Sequence, residues 1–182
     1  MQWTIPGTVL RIERDNADGV EEMFSSMFLA GGMVLSQVAS ITGLEPYTVQ
    51  NWVKRGFLSP PKNKRYTLQQ LCRILHINML KDVMPLERIC SLLRYINGKL
   101  DQEDDDIIDD AALYFLFVRL AARAKQLDDP AVWRQAMEEA LCNYCEPVPG
   151  ARERIEKALR IMLIGNVASK MVRTAERMLD EL

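Results

Sequence analysis

Apolar residues recur at spacings of three and four along most of the chain, the period of helices that bury one face. From Asp18 or Gly19 to Ala30, the positions Val20, Met23, Phe24, Met27 and Phe28 predict a helix, which Gly31-Gly32 ends. Ser36 is a suitable N-cap for a short helix carrying Val38, Ala39 and Ile41, which Gly43 closes. Pro46 suits the first position of a second helix running to about Arg55, with Val49, Trp52 and Val53 on its buried face. Thr67-Leu68-Gln69-Gln70 has the form of a capping box. The helix behind it runs to about Lys81 and buries Leu68, Leu71, Cys72, Leu75 and Met79. Another begins near Pro85, with Leu86, Ile89, Leu93 and Ile96 inward.

The C-terminal part continues in helices. Ile107 to Leu127 is apolar nearly all round between Leu113 and Leu120, as expected of a helix buried on several sides. Asp129-Pro130 is an N-cap followed by proline, opening a helix with Trp133, Met137, Ala140, Leu141 and Tyr144 on one side. The last helix spans about Ala151 to Leu179. Its apolar stripe includes Ile155, Leu159, Met162, Ala168, Met171, Ala175 and Met178 and is wider than one neighbour can cover. That excess predicts a homodimer through the C-terminal helices. Before Asn16 the pattern is weak: Trp3, Ile5, Val9, Leu10 and Ile12 could cover a core edge about a Pro6-Gly7 turn. No strand alternation is apparent outside the segment 58–66. The fold expected is mainly α.

Two short helices joined at Gly43 have the form of a helix-turn-helix. The face of the second helix opposite Val49 and Trp52 carries Tyr47, Gln50, Asn51 and Lys54, with Thr48 and Arg55 beside it. Gln and Asn can pair bidentately with a base edge, and Lys, Arg, Tyr and Thr can reach phosphate. Gly56-Phe57-Leu58, a Pro60-Pro61 turn and Lys62-Asn63-Lys64-Arg65-Tyr66 follow at once. Three cations within four residues at a turn tip repel one another unless a polyanion lies opposite. The expected DNA contacts are therefore Tyr47, Thr48, Gln50, Asn51, Lys54, Arg55, Lys62, Asn63, Lys64, Arg65 and Tyr66, from a helix over 46–55 and a wing over 58–66.

The run from Leu35 to Leu93 resembles the DNA-binding domain of MerR-type regulators. The matching residues are Thr42-Gly43-Leu44, Thr48-Val49-Gln50-Asn51-Trp52-Val53, Gly56-Phe57-Leu58-Ser59-Pro60 and Lys64-Arg65-Tyr66. Gln50 stands where that family usually has Arg, Asn51 where it has Tyr and Val53 where it has Glu, so base preference does not transfer. The wording VQNWVKRG, KRY and RILHINMLKD resembles a bacterial family of MerR-like proteins described as domain of unknown function 1836, over most of the chain. The resemblance implies a MerR-like winged helix-turn-helix domain at 33–99; the apolar pattern adds an N-terminal segment and helix at 1–32 and a C-terminal helical bundle at 100–182 expected to serve dimerisation or regulation. The resemblance also implies a transcriptional regulator with no known ligand.

Charge sharpens this picture. Of 182 residues, 23 are Lys or Arg and 25 are Asp or Glu, for a net charge of −2. Met33 to Lys99 holds ten Lys and Arg against three acids, a net +7, and the remainder carries −9. Basic charge in the segment with the helix-turn-helix pattern supports double-stranded DNA as partner. The acidic run from Asp101 to Asp106 reads as a solvated linker. The longest apolar run, Ala111 to Val118, falls far short of a membrane span. The first residues have no signal-peptide form, so a cytoplasmic protein is expected. Cys72 and Cys90 lie on apolar faces, and Cys142-Asn143-Tyr144-Cys145 is an isolated CxxC. With one histidine, His76, far from it in sequence, neither a metal site nor a cofactor is expected. No nucleophile, phosphate loop or ligand set suggests an enzyme. The alternative is a protein-interaction adaptor that keeps the winged-helix shape without reading DNA.

Overall fold

The computed structural model describes residues 1–98, 106–123 and 129–182. Among these the chain is mainly α, with eight α-helices and two sheets of two strands each. The first sheet was not expected. Strands β1 (Gln2–Thr4) and β2 (Arg11–Glu13) pair antiparallel, Trp3 opposite Ile12. Three residues are too few for alternation to be legible, and only Trp3 in this pair is buried. The turn between them rests on the later helix α4 (Leu68–Leu80). Gly7, at φ +76°, lies so close that a Cβ there would stand 2.5 Å from the Leu75 carbonyl oxygen.

The helix expected through Ala30 is divided. A 3-10 turn (Arg14–Gly19) leads into α1 (Val20–Met27), which fully buries only Val20 and Phe24. Met27 and Leu29 are exposed. Then β3 (Met33–Val34) pairs antiparallel with β4 (Arg65–Tyr66). Helix α2 (Leu35–Thr42) starts before Ser36, not after it. The side chain of Gln37, rather than the Ser36 hydroxyl, accepts the Val34 N–H at 3.0 Å and closes the first turn. Gly43, at φ +70°, ends α2 as expected.

Helix α4 is the centre of the molecule. Its capping box forms: the Gln70 N–H donates to Thr67 Oγ1 at 3.2 Å and the Thr67 N–H to Gln70 Oε1 at 2.9 Å. Every residue from Leu71 to Leu80 is buried, where periodicity had marked one face. The reason is α6 (Asp110–Ala122), which is apolar on nearly all sides and packs along α4, with α2, α5 (Leu86–Asn97) and α8 (Ala151–Asp180) against other flanks. One hydrophobic core therefore runs continuously from the N-terminal hairpin into the C-terminal helices. The 99/100 division, the residues Asp101 to Asp105 of the acidic run and the end of the expected 107–127 helix lie outside the described residues.

Polar groups enter this core with α4. Arg73 pairs with Asp110 of α6 at 3.1 Å and also donates from Nε to the Phe57 carbonyl at 3.3 Å. Burial pushes the Asp110 carboxyl up, against the pull of the Arg73 guanidinium. Asp109 caps α6, accepting the N–H groups of Ala111 and Ala112. Helix α7 (Pro130–Ala140) is capped by Asp129 and buries Trp133 and Met137. It stops before Tyr144, whose hydroxyl instead donates to the Ile107 carbonyl at 2.6 Å.

Helix α8, of 30 residues, is about 45 Å long. Its first half buries Ile155, Ala158, Leu159, Met162 and Leu163, and every residue from Lys170 onward is exposed. Asp82 ties it to the end of α4, accepting from Arg173 at 2.7 Å and from Ser169 at 3.3 Å. No helix among the described residues is long and apolar enough to cross a membrane.

Candidate nucleic-acid interface

The short helix α3 (Pro46–Lys54) begins with proline, whose missing N–H is not needed in the first turn. It buries Val49 and Trp52 against the core, with Val53 half-buried. Gly43 sets its angle to α2. The left-handed backbone there turns the chain, and an added Cβ would lie 2.7 Å from Val9 of the N-terminal hairpin. Asn78 of α4 fastens the same corner. Its amide donates to the Thr42 carbonyl at 2.9 Å and to the Gly7 carbonyl at 2.8 Å. One buried side chain thus holds hairpin, helix pair and α4 together.

With Val49 and Trp52 turned inward, Tyr47, Gln50, Asn51 and Lys54 project outward. All four are exposed, Tyr47 to 70%. None makes a side-chain hydrogen bond or ion pair among the described residues. A helix face with donors, acceptors and one cation, all uncommitted, can offer them to a ligand without breaking internal bonds. Thr48 is half-buried at its edge. Arg55 is already engaged. Its guanidinium pairs with Glu87 of α5 at 2.6 Å and lies 4.6 Å over the Phe57 ring. Arg55, an expected phosphate contact, is exposed but already has partners within the chain.

The basic segment forms a two-residue hairpin. Lys62 bridges to Arg65, whose N–H donates to the Lys62 carbonyl at 2.9 Å. Asn63 and Lys64 occupy the tip at φ +50° and +62°. Positive φ at both central residues matches the right-handed twist of the flanking strands; Asn suits the first position, whereas the second usually falls to Gly. Lys62, Asn63 and Lys64 are exposed and unpaired among the described residues. Arg65 is exposed but donates to the Gly32 carbonyl at 2.9 Å. Tyr66 cannot be a surface contact. The next residue on a strand faces the opposite way, and Tyr66 is 3% exposed, with burial raising its phenol. The hairpin base is fixed by Gln70, whose amide donates to Ser59 and to the Pro60 carbonyl.

Eleven contacts expected from the sequence thus become a smaller set of free groups. These are Tyr47, Gln50, Asn51 and Lys54 on α3 and Lys62, Asn63 and Lys64 at the tip, with Arg65 beside it. Sequence reasoning missed Asn78 and Arg73. Their signal was present: polar residues inside the apolar run Leu71 to Leu80 must find buried partners. Cys142 and Cys145 are both exposed and not joined in a disulfide, and Cys72 and Cys90 are buried thiols that burial pushes up.

Comparison with known proteins gives a match that includes this unit and runs past it into α6. Residues 30–117 match a family described as Domain of unknown function (DUF1836). The match takes in β3, the helix pair, the tip hairpin, α4, α5 and part of α6. It covers just under half of the chain, where the resemblance in wording had suggested most of it. The chain is also similar to "Uncharacterized protein YkrK" of Bacillus subtilis (strain 168), 25% identical over 109 residues, or 58% of this chain. It spans about half (47%) of that relative's length. No solved structure matches.

Proposed function

We propose that the chain is a DNA-binding transcriptional regulator of the MerR-like winged helix-turn-helix type, acting in the cytoplasm. Helix α3 reads base edges in a major groove and the Lys62–Arg65 hairpin is the wing on the phosphate backbone. The observation that carries this is the outward face of α3, where Tyr47, Gln50, Asn51 and Lys54 are exposed and uncommitted while Val49 and Trp52 fix the helix from behind. Gln50 and Asn51 have the donor–acceptor pairs that distinguish bases, whereas Lys54, Lys62 and Lys64 suit phosphates of any sequence. The regulator works as a homodimer. Beyond Lys170 the last helix is exposed on all sides yet carries Met171, Val172, Met178 and Leu179, apolar area that a second copy would cover. A two-fold pair of readers matches a pseudo-palindromic site.

The test begins with genome-wide capture of bound DNA, followed by competition binding on the recovered site and on random duplex. Gln50→Ala and Asn51→Ala each lower specific binding by about 1–3 kcal/mol with little loss on random DNA. Lys54→Ala lowers both more evenly. A specific-to-random ratio untouched by both Gln50→Ala and Asn51→Ala in folded protein removes α3 as the reader.

A further inference from the structure

A cleft of about 450 Å³ lies between the 3-10 turn and the C-terminal end of α6, away from α3 and the wing. Arg14, Asp15 and Asp18 line one wall, Arg119 and Arg123 the other, with two alanines between them. Such a volume is ordinary for a small-molecule site. The state of its charges is not ordinary. Arg119 pairs with Glu21 at 3.2 Å and Arg123 with Glu139 at 3.4 Å, which fixes both guanidiniums at the rim. Arg14 has no hydrogen bond or ion pair from its side chain among the described residues, and its Nε is shut off from solvent without an acceptor. Its backbone is held, since its N–H donates to the Met1 carbonyl at 3.1 Å. Asp15 lies within electrostatic reach of the Met1 ammonium, and Asp18 has no hydrogen bond or ion pair among the described residues.

Arg14 is half-buried and lines the cleft, so what it offers a ligand there is an unpaired guanidinium and not the enclosed Nε. A simple anion placed on Arg14 would meet two carboxylates, and a simple cation would meet three guanidiniums. A molecule with a carboxylate and an ammonium a few ångströms apart answers both. The planar fork of Arg suits a carboxylate. We propose that this cleft is a binding site for a small zwitterion of the free amino-acid class, its carboxylate on Arg14 and its ammonium against Asp15 and Asp18. The site lies where the N-terminal segment meets α6, and it does not depend on the DNA-binding reading.

The purified full chain is screened by thermal melting against each of the standard L-amino acids at constant ionic strength. The best is then followed by calorimetry beside its deaminated acid and its decarboxylated amine. The expected result is a saturable rise in melting temperature with at least one amino acid. Both analogues bind at least about tenfold more weakly, because each leaves one charge of the cleft unanswered. Arg14→Gln and Asp18→Asn each weaken the amino acid by about tenfold or more while melting normally without it. Asp18→Asn keeps the comparison available if Arg14→Gln fails to fold. The proposal is overturned if no amino acid gives a saturable shift. It is also overturned if either analogue binds as well as the amino acid, or if the folded variants bind it as the parent does.

Discussion

His76 makes the acid stability of this protein calculable, because it is the chain's single histidine. It is 0% exposed on α4, its ring edge-on to Tyr114 with centroids 5.5 Å apart, and neither nitrogen has a hydrogen-bond partner among the described residues. Burial foremost, and then the nearby Arg73 charge, push its pKa from the ordinary 6.5 to about 3. The folded value lies below the unfolded one, so the unfolded chain takes up a proton first as pH falls. Stability is complete above about pH 7 and is lost progressively from about 6.5 towards 3. Between pH 7.5 and 5 the loss is about 2 kcal/mol. At a urea slope of about 2 kcal/mol per M, the midpoint falls by about 1 M. Asp110, raised by burial, takes up its proton earlier in the folded state and works in the opposite sense, whereas Asp82, held low beside Lys81 and Arg173, adds to the loss at still lower pH. The assay is urea unfolding at pH 7.5, 6.5, 5.5 and 5.0 for the parent and for His76→Leu, which removes both unpartnered nitrogens. The parent weakens with acid and His76→Leu stays nearly level. Equal pH dependence in the two proteins would refute the account, since it would mean that the imidazole is protonated, or reached by water, in the folded state.

Other consequences can be measured on the same protein. Asn78→Leu leaves the Gly7 and Thr42 carbonyls without their donor at the corner that orients α2 and α3. It costs about 2–4 kcal/mol in unfolding experiments, and a loss below about 1 would show that the clamp is dispensable. Lys64→Gly relieves a left-handed lysine, so stability rises by about 1 kcal/mol while duplex binding weakens and its salt slope shallows by about 0.9 per subunit. An unchanged slope would take the tip off the phosphate backbone. Light scattering at micromolar concentration gives twice the 20.9 kDa chain mass, and the double change Met171→Glu, Met178→Glu halves it; a parent that already scatters as one chain sinks the homodimer.

Local chemistry made much of this protein legible from its sequence. Proline at the start of α3, Gly43 at the end of α2, the Thr67–Gln70 capping box and the Asp109 and Asp129 caps are decided within a few residues. So is the inward face of Val49 and Trp52, because an amphipathic helix has only one face to bury. The tertiary structure decided what depends on neighbours remote in sequence. Helix α4 is buried all round because α6, from the other half of the chain, covers the flank that periodicity assigned to solvent. That second neighbour also turned Arg73 and His76 from surface polar residues into buried ones, while α2 and the N-terminal hairpin cover Asn78. Tyr66 left the set of candidate contacts because pairing with β3 fixed which way its strand faces. Arg55 is engaged because α5 brings Glu87 to it from 32 positions away. A hydrophobic period states which side of an element is apolar; how many sides are covered, and which polar groups remain free to meet a ligand, is settled only by what packs against it.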